Sequence, residues 1–331
     1  MFVLSGEELT LPFAEIRALV ETYSKDSKVE LVDKRISTSS VSDPEIVRKI
    51  TERAAYCRFG GLIVSGSEKL LSLANGVEIN FMDSGKTFAV DSFTLSKEEC
   101  GELGAAIKSR TNRKVSLEKP DYLFQAEAAK EGFLLAVTTH GYKTQSWRSR
   151  RPRARKFFLP SAIYPKLARV LVNLSRVREG DLFLDPFCGT GSLLIESVVM
   201  GIDSVGIDLT RWIARGGLLN MKGFSLDFLG IVRADSTNQL PLRNIDAVAT
   251  DVPYGRASST KGKATAQILH EFVDCIFESF SSSSESPKYC IVMHPSHVEL
   301  KLESNLFQLH EQHLLYVHRN LTRAISVLRK G

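Results

Sequence analysis

The feature that most restricts the fold is a short apolar run ending in an acid and a glycine turn. Asp181-Leu182-Phe183-Leu184-Asp185 reads as a buried strand, Pro186-Phe187-Cys188-Gly189-Thr190-Gly191 as a turn, and Ser192 to Met200 as a helix. Such a unit cannot cover its own strand, so further units of the same kind are required, and they follow. Ser204 to Ile207, Gly230 to Arg233 and Ile245 to Thr250 read as strands, closely followed by Asp208, Asp235 and Asp251. Helical spacing occupies Tyr164 to Leu174, Arg211 to Met221 and Thr265 to Phe280, and Tyr289 to Met293 adds one more strand. Alternating strand and helix predict an α/β fold with a doubly wound, mostly parallel sheet. Phe307 to His318 and Arg323 to Arg329 alternate in polarity, which predicts an antiparallel hairpin at the sheet edge.

The glycine turn also limits the ligand. Gly189 and Gly191 allow a tight turn and close backbone approach. A dinucleotide site would carry G-x-G-x-x-G to seat a pyrophosphate at a helix start, whereas this chain has Gly-Thr-Gly followed by Ser192 and apolar residues. S-adenosyl-L-methionine has no phosphate and needs no third glycine. Asp185 and Phe187 in this motif are candidate cofactor residues, with the carboxylate placed to attract the methionyl ammonium. Asp208, 23 residues after Asp185, has the spacing of an acid that binds ribose hydroxyls. Asp235, beside Ser236, can accept from an adenine amine. One acid at a strand end often only caps the next helix, but three beside a glycine turn point to a nucleoside cofactor.

A second motif, Asp251-Val252-Pro253-Tyr254-Gly255, lies about sixty residues downstream. It offers a carboxylate, main-chain carbonyls and an aromatic ring, the groups that can hold a planar exocyclic amine. The lone pair of such an amine is delocalised into the ring, so the nitrogen is a poor nucleophile. Hydrogen bonds to Asp251 and a carbonyl favour a pyramidal nitrogen aimed at a methyl donor, which is positioning and electrostatic stabilisation. Tyr254 is placed to stack on the base, and Pro253 biases Val252 toward an extended conformation. Asp251, Val252, Pro253 and Tyr254 are therefore the candidate catalytic residues.

A length of 331 residues predicts two or three domains. The net charge of +5 is mild, but from Gly132 to Arg178 eleven Lys or Arg occur with no acid. Within that stretch Lys143, Arg148, Arg150, Arg151, Arg153, Arg155 and Lys156 read as a basic linker over residues 143–159. Clustered cations favour a polyanion through counterion release, so these seven are candidate RNA contacts. Trp147, among them, could stack on a base or pack on the next domain. The amino terminus lacks a secretory pattern and no run of about eighteen apolar residues occurs, so no membrane span is expected. Cys57, Cys100, Cys188, Cys275 and Cys290 are scattered without CxxC spacing, as expected of reduced cytoplasmic thiols. His310-Glu311-Gln312-His313 has i,i+3 spacing rather than the i,i+4 of a zinc motif, and no metal is expected.

Upstream, residues 1–43 read as a small αβ unit, with the polar Ser37 to Asp43 as its boundary. Residues 44–142 then read as a second, α+β unit with helices at Glu45 to Tyr56 and Lys97 to Arg110. Gly104 in the second helix, followed by Lys114-Val115-Ser116-Leu117 and Pro120-Asp121, resembles the THUMP domain of tRNA-modifying enzymes. The glycine turn, the Asp251 motif and the predicted hairpin resemble a Rossmann-like class I methyltransferase domain, here over 160–331. Phe158 to Arg169 is similar to the segment that precedes the turn in that family, which implies that Pro160 covers the methionine end of the cofactor.

Taken in order, the units resemble the archaeal-type THUMP-domain tRNA (guanine(10)-N(2))-methyltransferases. The resemblance implies a ferredoxin-like N-terminal unit, S-adenosyl-L-methionine as methyl donor, tRNA as partner, and mono- or dimethylation of the exocyclic amine of guanosine 10. The family motif is Asp-Pro-Pro-Tyr, and Val252 replaces its first proline. Valine keeps the carbonyl acceptor and loses one rigid ring. A related enzyme acting on another tRNA or rRNA guanosine, and a degenerate tRNA-binding protein, fit the same motifs. A DNA adenine methyltransferase leaves residues 44–142 without a purpose, and a glutamine methyltransferase has Asn where this chain has Asp251. Some related enzymes use a small activating protein subunit, and the residues carry no signal for one.

Overall fold

The anticipated alternation downstream of Pro165 is present in the computed structural model, which describes residues 1–78, 81–139, 146–238, 240, 242–254, 264–280, 287–302, 306–319 and 321–331. The chain divides into two units, Met1–Gln145 and Ser146–Gly331.

The first unit holds two sheets. Strands β1 (Phe2–Leu4), β2 (Val29–Asp33), β3 (Ile36–Ser39) and β4 (Cys57–Gly60) pair in the order β2-β3-β1-β4, with helices α1 (Leu11–Tyr23) and α2 (Pro44–Arg53). The apolar residues of these elements, among them Phe2, Ile16, Leu19 and Ile50, form one buried cluster. This corrects the expected boundary at residue 43. The sheet is completed by β4, so residues 44–60 belong with the first layer rather than with the next domain. Ser37 to Asp43 looked like a turn because it is polar. Instead Ser37 is fully buried within β3, and Asp43 caps α2 by accepting the N–H of Glu45 at 2.8 Å. The second sheet has the order β5-β9-β8-β6-β7, from β5 (Leu62–Ser67), β6 (Thr87–Asp91), β7 (Lys114–Val115), β8 (Tyr122–Ala129) and β9 (Gly132–Thr138). Helix α3 (Lys97–Thr111) lies against it through Leu103 and Ile107 and starts with a capping box between Ser96 and Glu99.

The second unit is the α/β domain read from the sequence. Helices α4 (Pro165–Leu174), α5 (Ser192–Val199), α6 (Arg211–Gly223) and α7 (Thr265–Phe277) accompany seven strands. These are β10 (Leu182–Asp185), β11 (Asp203–Ile207), β12 (Gly230–Val232), β13 (Ala247–Asp251), β14 (Tyr289–Pro295), β15 (Phe307–His318) and β16 (Leu321–Lys330). Their order is β12-β11-β10-β13-β14-β16-β15; β10 to β14 are parallel, and β16 runs antiparallel to both its neighbours. The strand order reverses between β10 and β13, and the crevice beyond their carboxyl ends is where such sheets bind ligands.

Residues 146–156 are folded onto this domain rather than free as a linker. Arg150 is buried and its guanidinium holds Glu196 of α5, Nε to Oε1 at 2.6 Å and Nη2 to Oε2 at 3.2 Å. Arg169 of α4, 1% exposed, adds an Nε contact to Oε2 at 3.0 Å. Arg155 is also buried and donates from Nη1 to Ser192 Oγ at 2.7 Å and from Nε to the Arg150 carbonyl at 3.1 Å. Trp147 packs between two guanidiniums, with the Cζ atoms of Arg150 and Arg169 each 5.3 Å from its ring centroid. The expectation that Arg150 and Arg155 contact RNA is thus corrected: both are committed internally. A buried acid in an apolar helix needs partners, and these arginines supply them.

Replacing Glu196 with Ala would leave two guanidiniums facing each other without a counter-charge. We expect a loss of about 3–5 kcal/mol of stability, read as a lower urea midpoint with an unchanged slope.

Candidate active site

A cavity of about 540 Å³ lies beyond the carboxyl ends of β10 to β13, and it gathers residues from every motif of the catalytic half. Pro160, Asp185, Phe187, Gly189, Asp208, Asp235, Ser236, Asp251, Val252, Pro253 and Tyr254 all line it. Gly191 does not. It is the N-cap of α5 with φ 82°, and with Gly189 at φ 52° it makes the left-handed turn that carries the chain from β10 into the helix. Gly255 and Lys143 lie outside the described residues.

Burial and hydrogen bonding act against each other at the acids. Asp185 is 2% exposed. Burial pushes its carboxyl up to about 7, although Oδ1 accepts from the Thr250 hydroxyl at 2.8 Å and the Phe187 N–H at 3.3 Å. Asp208 is also raised by burial, with opposition from the N–H groups of Gly189 at 3.1 Å and Thr210 at 2.8 Å. Each oxygen of Asp208 keeps a second lone pair for a hydroxyl donor. Asp235 Oδ1 accepts from the Thr237 hydroxyl at 2.8 Å, and Ser236 Oγ donates to the Pro186 carbonyl at 2.6 Å, which ties the loop after β12 to the glycine turn. A glycine turn, an acid on the main-chain amides beside it and an apolar wall of Leu209, Ile213 and Phe187 fit a nucleoside that carries an ammonium and no phosphate.

At the far side of the cavity, Val252 is fully buried and its N–H donates to the Met293 carbonyl at 3.0 Å. This bond fixes the loop at Val252, where the motif's first proline ring is missing. Burial raises the Asp251 carboxyl to about 7, opposed by Arg323. Asp251 Oδ2 accepts from Arg323 Nη1 at 3.2 Å, and Oδ1 is buried with no hydrogen-bond partner among the described residues. Arg323 also donates to the Tyr254 hydroxyl. Local sequence gave no sign of Arg323, because a long-range register places it: it lies on β16, opposite Pro295 of β14. Cys188, buried in the turn, has a thiol pushed well up by burial and packs against Gly206, as expected of an apolar filler.

Residues 152–325 match the family described as RMKL-like, methyltransferase domain. Across 365 aligned positions the chain is 30% identical to the tRNA (guanine(10)-N2)-dimethyltransferase of Methanocaldococcus jannaschii, covering 99% of both proteins. It is 31% identical to the enzyme of the same name from Methanothermobacter thermautotrophicus, covering 100% of this chain and 99% of that one. The chain belongs to the tRNA (guanine(10)-N2)-dimethyltransferase family. Its fold is shared with TrmN from Thermus thermophilus, at a TM-score of 0.52 and 16% identity over 100% of this chain and 99% of that one.

In this member of the tRNA (guanine(10)-N2)-dimethyltransferase family the buried acids weaken the fold as pH rises. A carboxyl whose folded pKa exceeds its unfolded value of about 3.9 favours folding fully at low pH, and that contribution is lost as pH rises through about 7, the folded value for Asp185. Asp185→Asn keeps Oδ1 as acceptor and removes the charge. We expect it to melt above the parent at pH 8, with the gap closing toward pH 4, in thermal denaturation across that range.

Proposed function

We propose that this chain transfers a methyl group from S-adenosyl-L-methionine to the exocyclic amine of guanosine 10 in tRNA, giving N2-methyl- and then N2,N2-dimethylguanosine. The observation that carries this reading is Asp251 beside Tyr254 in the cavity wall, a buried carboxylate whose Oδ1 has no hydrogen-bond partner among the described residues. The names of relatives that align over the full length support tRNA and position 10.

The chemistry follows from those groups. S-adenosyl-L-methionine supplies an electrophilic methyl on a sulfonium. Asp251 accepts an amine N–H, and the Val252 carbonyl is the acceptor for a second one. This draws the nitrogen lone pair out of conjugation and aims it along the line of attack. The C–N bond forms as the C–S bond breaks, with that electron pair returning to sulfur. The nitrogen then sheds one proton through the Asp251 carboxylate to water. Tyr254 stacks on a base that has left its helix at a cost of about a few kcal/mol. At the cofactor end, Asp185 would hold the ammonium, Asp208 the ribose hydroxyls and Asp235 the adenine amine, with Pro160 at the methionine end.

For RNA contact the reading relies on Arg148, Arg151, Arg153 and Lys156, all exposed on the second unit in a stretch without acids. Residues 61–138, the five-stranded sheet with α3, are proposed as the THUMP-like grip. The ferredoxin-like layer before it includes β4.

Two measurements test the proposal. Labelled methyl transfer to unmodified tRNA transcripts, with nucleoside mass spectrometry, is expected to give methylated guanosine at position 10. Asp251→Ala is expected to lower the rate by about 10²-fold or more with tRNA affinity unchanged, whereas full activity in that variant would refute the mechanism. Separately, Arg148→Glu, Arg151→Glu and Arg153→Glu together should flatten the salt dependence of tRNA binding, by about 0.7–0.9 in log–log slope for each phosphate no longer neutralised. An unchanged slope would exclude these residues from the interface.

A further inference from the structure

We propose that Arg323 is a positioning residue for the methyl transfer, orienting both Asp251 and Tyr254 from a third strand. The inference rests on the amine-methylation reading above.

Arg323 reaches the site across β14. Asp251 is level with Met293 in the parallel pair β13–β14, and Pro295 is level with Arg323 in the antiparallel pair β14–β16. From there Nη1 spans Asp251 Oδ2 at 3.2 Å and Met293 Sδ at 3.8 Å, Nη2 donates to the Tyr254 hydroxyl, and Cζ sits 5.1 Å from the Tyr254 ring centroid. The side chains of Arg323 and Asp251 are 13% and 17% exposed, so water does little to screen the pair.

Two consequences follow from this geometry. A carboxylate with both oxygens free can rotate about its Cβ–Cγ bond, whereas one tethered through Oδ2 holds a fixed plane. The same guanidinium fixes the Tyr254 ring through its hydroxyl, so the acceptor and the stacking surface are set relative to each other by one group. Arg323 also favours the ionised form of Asp251 against burial. Ionisation matters because a protonated carboxyl can place an O–H donor where the amine needs an acceptor.

The other charged groups around Asp251 do not do this. Asp185 on β10 repels it and Tyr254 is neutral, while Asp208, Asp235 and His318 at the end of β15 line the same cavity. Among the residues lining the described cavity, Arg323 is the one arginine or lysine.

The test compares Arg323→Met and Arg323→Lys with the parent in single-turnover methylation of a tRNA transcript from pH 5.5 to 9, at saturating methyl donor. We expect Arg323→Met to slow the step by about 10²-fold and to move the acid limb of the profile to higher pH by about one unit or more. Arg323→Lys should restore part of both. Binding of the methyl donor and the melting temperature serve as controls for a structural role and should change little. An unshifted acid limb in Arg323→Met, or a rate loss that only follows loss of donor binding or of fold, would overturn the proposal. A carbon-13 titration of the Asp251 carboxyl, assigned with Asp251→Asn, reads the same effect without substrate. If the parent methylates no guanosine, the functional reading fails, while a raised Asp251 titration in Arg323→Met still upholds the role of Arg323 and an unchanged one removes it.

Discussion

Carboxylates gathered at the ends of parallel strands lie out of water and near one another, and burial drives them toward the protonated form against the donors around them. The rest of the catalytic unit is arranged around that conflict. Each acid receives a different remedy. Asp208 takes main-chain N–H groups from the glycine turn and from the residue that starts α6. Asp185 takes a hydroxyl from the neighbouring strand and an N–H from its own turn. Asp251 has a guanidinium from beyond the next strand. The first two remedies are local and neutral, whereas the third is remote and charged. In the proposed mechanism this difference matches the need for a strong acceptor at the amine and for weaker, shared contacts at the methyl donor.

The same logic, a buried acid answered by distant cations, anchors the basic run. Glu196 sits in the apolar helix after the glycine turn and is held by Arg150 and Arg169. Arg155 then ties that run to Ser192 at the start of the same helix. The run therefore has two faces. Arg150 and Arg155 hold the cofactor turn from inside, and Arg148, Arg151, Arg153 and Lys156 are left outside. Methyl-donor pocket and cationic surface are built from one continuous segment.

The parallel sheet was legible because apolar runs ending in acids repeat, and each repeat found its strand within a few residues. The glycine turn and the Asp251 loop were legible because their chemistry is local. Three things were not. The first boundary was misplaced because the polar stretch Ser37 to Asp43 resembles a turn, and only pairing with β1 and β2 makes Ser37 to Ser39 a strand. Arg150 and Arg155 could not be told from their exposed neighbours, since every member of the run carries the same charge. The available signal was Glu196, a lone acid among Leu193, Leu194, Ile195 and Val198, which needs a counter-charge from somewhere. Arg323 had no such signal, because its meeting with Asp251 depends on the register of three strands.

The ribosome makes Asp251 seventy-two residues before Arg323. A nascent chain can therefore complete β10 to β13, with the glycine turn and its acids, while the strand that brings the guanidinium does not yet exist. In that interval the Asp251 carboxylate lacks its cation. Addition of β16 between β14 and β15 then brings the guanidinium to the site. The same late hairpin also supplies Val317, His318 and Leu321 to the cavity wall, so pocket and guanidinium are completed together.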